Sequence, residues 1–231
     1  GTCRFCKGHV AWPCTGPARV RRRVAHVQTQ CEPNRLWRHA VRQSGSRIIG
    51  TTMDDIVRQA MAKWPNVPDC YGWLGLSARG NWYMRDDRAQ AAGAFARGGE
   101  QAKGSRLQHE KLIEFIARNY LADDQGRWYF QNGPQRVFVE LEAAPYIWRV
   151  GADFSVKSHT GLPTQVQACL VDEQGHVYLV TELGFGMVHT QDVVQVADAV
   201  QAGIWQPQTC ESHSLPTRFS YVLSPELLQK Q

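Results

Sequence analysis

Glu140 and Glu142 stand two residues apart in a stretch, Gln135 to Glu142, where Val137, Val139 and Leu141 alternate with Arg136, Phe138 and Glu140. Alternation of this kind marks a half-buried strand, and a rise near 3.3 Å per residue sets the two carboxylates about 7 Å apart on one face. Such a pair could divide general-acid and general-base work. Arg136 shares their face, so an exposed charged strand surface explains the same residues with fewer assumptions. Arg136, Phe138 and Glu140 are therefore the candidate binding residues. Glu140 and Glu142 as acid and base are the alternative.

Other reactive types are present without the partners their chemistry needs. His109-Glu110 lacks a second His four residues on, so the zinc-protease pattern fails and a helix-surface pair remains. Cys70 could be a nucleophile, but no His is placed to activate it, and a buried thiol is the simpler reading. Asp86-Asp87 and Asp123-Asp124 flank turns, where acids accept backbone N–H groups; the spacing of a calcium loop is missing. Gly184-Phe185-Gly186 lacks the Gly and Lys that complete a phosphate loop and reads as strand and turn. Cys3, Cys6, His9 and Cys14 offer four soft ligands, yet only two residues separate Cys6 from His9 where a zinc knuckle has four. No metal or cofactor is expected.

Trp73, Trp82, Tyr83, Trp128, Tyr129 and Trp148 could form a stacking platform for bases or sugars. From Met53 onward, however, acids outnumber bases by 20 to 16, and no basic groove accompanies the rings. A core between sheet and helices is the preferred account, and a nucleic-acid partner is not expected.

These residues need a scaffold. Thr52 with Asp55 forms a capping box ahead of a helix whose stripe is Ile56, Val57, Ala60, Met61 and Trp64, stopped by Pro65 and Pro68. A second helix is expected from Ser105, with Gln108 in the box position, and a third after Thr190, bearing Val193, Val194, Ala197 and Val200. Arg88 to Gly104, rich in Ala and Gly, reads as a loose helix and then a loop. Three stretches share one hairpin design, closing on Gly80, Gly126 and Gly175 and reopening at Asn81-Trp82, Arg127-Trp128 and His176-Val177. Further strands are expected at 146–150, 154–157, 166–171 and 218–223. The fold class is α+β, one antiparallel sheet of hairpins with about three packed helices.

Charge divides the chain at Thr52–Met53. Residues 1–52 hold ten of the 26 Lys and Arg with one acid, a balance of +9; residues 53–231 balance at −4. The first segment has no sustained period and is expected to be a disordered basic arm or an upstream extension foreign to the natural protein, Met53 standing where a start would belong. Arg19, Arg21, Arg22 and Arg23 could meet phosphates there, which with the Cys/His set makes zinc or nucleic-acid binding a further alternative. Residues 53–231 are read as the folded domain, with 53–150 and 151–231 as possible subdomains. No run of 18 apolar residues is present to span a bilayer, and scattered cysteines suit a reduced compartment. A cytoplasmic protein with no membrane association is expected.

From Met53 to about Val150 the chain resembles an uncharacterised bacterial family, a domain of unknown function. The resemblance rests on Met53-Asp-Asp-Ile-Val-Arg-Gln-Ala, on Trp64-Pro-Asn-Val-Pro with Cys70-Tyr-Gly-Trp-Leu, and on Arg79-Gly-Asn-Trp-Tyr-Met-Arg-Asp. It is strongest from Gly126 to Glu142. It implies proteins that begin at the equivalent of Met53 and brings no activity or catalytic residues. The expectation is a non-enzymatic protein that binds a partner protein or small ligand through its aromatic-rich sheet, with oligomeric state open.

Overall fold

The computed structural model describes residues 53–230. The Thr52 cap, the Cys3–Cys14 set, the arginine cluster and the expected disorder of the basic arm lie outside the described residues. The first half runs α1 (Asp55–Lys63), β1 (Cys70–Leu76), β2 (Trp82–Met84), α2 (Asp87–Ala91), α3 (Gly99–Lys103), β3 (Ser105–Arg106), α4 (Glu110–Arg118), β4 (Tyr120–Ala122), β5 (Trp128–Asn132) and β6 (Gln135–Leu141). The second runs β7 (Tyr146–Val150), β8 (Val156–Ser158), β9 (Pro163–Thr164), β10 (Val166–Val171), β11 (Val177–Thr181), β12 (Gly184–Val188), α5 (Val193–Gln201), β13 (Pro207–Thr209), α6 (Leu215–Arg218) and α7 (Pro225–Gln229).

The α+β class holds, but the expected single antiparallel sheet with about three helices is corrected. There are two sheets, ordered β3-β2-β1-β6-β5-β4 and β13-β10-β11-β12-β7-β8-β9, and seven short α-helices among the described residues. Most neighbours are antiparallel, while β1·β6, β10·β13 and β12·β7 run parallel. Parallel pairing suits strands covered on both faces. In β1 and β6 all but one residue of each is buried, which makes this pair the centre of the first sheet.

The three hairpin units do share one turn. In each, the first turn residue (Ser77, Asp123 or Asp172) donates its N–H to the carbonyl four residues on and accepts from the N–H of the glycine three residues on. Gly80, Gly126 and Gly175 all have φ between +73° and +82°, as this type I turn with its bulge requires. The side chain of the first residue closes the ring, since Asp123 Oδ1 accepts from the N–H groups of Gln125 and Arg127, and Asp172 Oδ1 from those of Gln174 and His176.

Several boundaries differ from expectation: the strand expected at 154–157 runs Val156–Ser158, with Phe154 at φ +61° ahead of it, and the loop expected before Gly104 holds α3. The helix expected from Ser105 begins at Glu110, because Ser105 and Arg106 pair with β2 as an edge strand and His109 caps the helix, its Nδ1 accepting from Leu112 N–H. The first helix takes Asp54, without a side-chain capping bond, as its N-cap. The strand expected at 218–223 does not form: Arg218 ends α6, Phe219 and Ser220 turn, and residues 221–223 run on as a strap. Phe219, Tyr221 and Leu223 do alternate, but Ser220 at φ +52° breaks the strand, and the strap bonds singly to two places: Val222 N–H to Gly126 O and Leu141 N–H to Leu223 O.

One hydrophobic core spans both sheets. Leu74, Leu76, Val137, Val139 and Leu141 are its aliphatic layer from the first sheet, and Tyr146 of β7 meets Tyr120 and Trp128 edge-on from the second. Tyr120 donates to Pro145 O and Trp148 Nε1 to Leu179 O, so these buried rings keep their polar atoms satisfied. The other face of the first sheet is half covered by the α2–α3 segment, whose Phe95 lies on Gly75. A Cβ at Gly75 would stand 2.4 Å from that ring. Gly75→Ala is expected to cost roughly 1–3 kcal/mol by overpacking, and Phe95→Leu in the same chain should recover part of it in urea melts.

Candidate functional site

On the uncovered half of that outer face, Phe138 is a fully buried base for four half-buried side chains. Tyr71 stacks on it at 4.6 Å with 6° between planes, Tyr129 leans on it at 5.7 Å, and the Arg127 and Arg136 guanidiniums lie 4.7 and 5.4 Å from its ring centre. Acids fix both guanidiniums. Arg136 donates twice to Asp69, at 2.8 and 2.7 Å, and Arg127 Nε donates to Asp123 at 2.7 Å. Burial would raise the Asp123 carboxyl, but the bonds from Arg127 outweigh it and hold it below its ordinary value. Burial raises both tyrosine hydroxyls, which keeps them neutral donors. The result is a charge-balanced tile of Arg and Tyr with its rotamers already set.

Glu140 continues the same strand face but lies under α7, 1% exposed. Its carboxyl accepts from Ser224 Oγ and, at 3.0 Å, from Glu226 N–H. Burial pushes it up to about 7, with the bonds from Ser224 and Glu226 N–H pulling the other way. Beside it Arg85, wholly buried, donates to the carbonyls of Ala102, Gly72, Ala89 and Gly93 and pairs with Glu226 at 3.3 Å. Lys230 reaches Glu226 at 2.5 Å. The expectation that Glu140 belongs to an exposed charged surface is corrected by this cover, which comes from residues 84 positions away.

A cleft of about 280 Å³ opens beside the strap, between the β10–β11 turn and the end of β6. Tyr178, Met187, Leu215, Tyr221 and Leu223 line it, with His176, Gln174 and Glu142 among its polar residues. Asp172 Oδ2 takes His176 Nδ1 at 3.0 Å and Tyr178 OH at 2.9 Å. Burial raises the Asp172 carboxyl, and its bonds to His176, Tyr178 and Gln174 more than reverse that. Glu142 is occupied too, accepting from Ala78 N–H at 2.8 Å and pairing with Lys103 at 2.9 Å.

The expected site residues therefore separate. Arg136 and Phe138 join one tile, Glu140 lies beneath α7, and Glu142 turns to the cleft. The cleft beside the strap takes in Glu142 but not Glu140, His109 or His159. His109 is a helix cap; His159 is buried among Trp82, Tyr120 and Tyr146, its Nδ1 accepting from Ile147 N–H, and burial depresses it to about 3. Cys70 is buried. Among the described residues no group of three His, Cys, Asp or Glu could hold a metal ion, and no helix is long and apolar enough to cross a membrane. Arg85, Ser224 and Glu226 carried no local signal. Asp172 and His176 did, because they repeat Asp123 and Arg127 at the same places in the same turn.

A family model described as "Protein of unknown function (DUF2946)" matches residues 53–226. No curated protein matches the chain. Among solved structures it is similar to a DUF1285 family protein from Silicibacter pomeroyi, at 11% identity over 72% of this chain and 85% of the other, with a TM-score of 0.39.

Proposed function

Because the chain belongs to the family described as Protein of unknown function (DUF2946), we propose its function from its own surface: it binds a partner protein, and the Arg136 tile is the contact. The observation that supports this is the set of two Arg and two Tyr side chains held in place on Phe138. Arg and Tyr are the types that carry binding energy at interfaces, and ordering them in the free protein removes an entropic cost of association. Phe138 serves as the buried support and Glu140 as the anchor of the neighbouring helix, with Arg136, Tyr129 and Tyr71 meeting the partner. Residues 53–231 act as one unit in this reading, since the core is continuous and β7 pairs with β8 across position 150.

Affinity capture from cells that express the protein tests it, with Arg136→Ala and Tyr129→Ala beside the parent chain and Val194→Ser, at an exposed site on α5, as control. Each tile variant should lower recovery of a partner by about tenfold or more, while the control does not. A partner held equally by the parent and both tile variants would refute the assignment.

A further inference from the structure

We infer that the cleft beside the strap binds a small apolar acid, with the carboxylate on His176 and the apolar body against Tyr178, Tyr221 and Leu223. The argument turns on which polar atoms remain unused. Asp172 spends its two oxygens on four donors: the N–H groups of Gln174 and His176, His176 Nδ1 and Tyr178 OH. Glu142 spends its own on Ala78 N–H and Lys103, and Tyr221 OH donates to Ala143 O. The acids near the cleft are thus turned inward and offer little to a cation.

What is left is the free edge of His176 and the exposed amide of Gln174. With Nδ1 held by Asp172, the ring has Nε2 to offer, on a side chain 43% exposed at the cleft. Protonated, Nε2 is a charged donor whose counter-charge already sits behind it, an arrangement that recognises an anionic oxygen. The walls are apolar and partly ordered by stacking: Phe185 lies 5.4 Å from Tyr178 and 5.6 Å from Tyr221. A volume of about 280 Å³ confines the ligand to a small molecule. The site is separate from the Arg136 tile and does not depend on it.

The test is an NMR titration at about pH 5.5, where an imidazole is largely charged, with three probes: 3-phenylpropanoate, its neutral analogue 3-phenylpropanamide, and acetate. In the parent chain the ring resonances of His176, Tyr178 and Tyr221 should shift, and 3-phenylpropanoate should bind about tenfold tighter than either other probe. His176→Gln keeps a donor without the charge, so acid and amide should then bind within about twofold of each other. His176→Ala should lose the preference likewise. Equal affinity for acid and amide in the parent chain, a preference that survives both substitutions, or the absence of shifts at these rings overturns the proposal.

Discussion

Arg85→Met should destabilise the folded chain by about 3–5 kcal/mol, a large share of the stability of an ordinary domain. Methionine keeps much of the stem's volume but none of the donors. The carbonyls of Gly72, Ala89, Gly93 and Ala102 would lose their guanidinium partner, and the Glu226 carboxylate would keep Lys230 alone. Arg85→Lys should fail to restore it, because a single ammonium cannot span carbonyls arranged around a planar fork. Urea melts of the two variants check this. A loss under about 1 kcal/mol for methionine would mean that the buried ion pair costs as much to form as it returns.

The second large effect depends on pH. Glu140 holds its proton more tightly in the folded chain, at about 7, than in the unfolded chain, near 4.5. Its contribution to stability is therefore full below about 4.5 and lost as pH rises through 7, a swing of about 3 kcal/mol. His159 works in the opposite direction. Depressed from 6.5 to about 3, it stabilises the folded chain above 6.5 and loses that contribution as pH falls. Between about 4.5 and 6.5 the two slopes oppose each other, so the parent chain should look nearly flat. Glu140→Gln, which keeps an acceptor for Glu226 N–H, removes one slope. Its stability relative to the parent should rise by about 3 kcal/mol from pH 4.5 to about pH 8. The variant alone should fall steeply as pH drops below 6.5, following His159. Parallel curves for the two proteins would refute the shifted carboxyl.

What the sequence disclosed was local. The turns at Gly80, Gly126 and Gly175 were legible because a left-handed residue at a fixed offset from a strand leaves a mark in the sequence itself. The alternation from Gln135 to Leu141 also assigned the faces correctly, with Arg136 and Phe138 together and Val137 and Val139 opposite. What covers each face was not legible. Glu140 looked exposed because its cover, Ser224 and Glu226, arrives from a distant segment with no periodicity of its own. Two sheets looked like one because β1·β6, β10·β13 and β12·β7 join strands that no hairpin connects. Arg85 stands in one of the stretches that carry the resemblance, yet residue type does not mark its role, since its partners are mostly backbone carbonyls. The strap kept the alternation of a strand, but α6 runs to Arg218 and the turn at Phe219 and Ser220 stops it from being one.

The strap also orders events in time. Arg85 and Glu140 leave the ribosome long before Glu226, which supplies the counter-charge of the one, and before Ser224, which bonds the other. The cleft, too, lacks a wall until Tyr221 and Leu223 have been made. A nascent chain that has completed both sheets therefore still carries an unmatched cation and an uncovered carboxyl at its centre. Closure waits for residues 221–226, so a chain that has not yet reached them leaves this face open to proteases and chaperones.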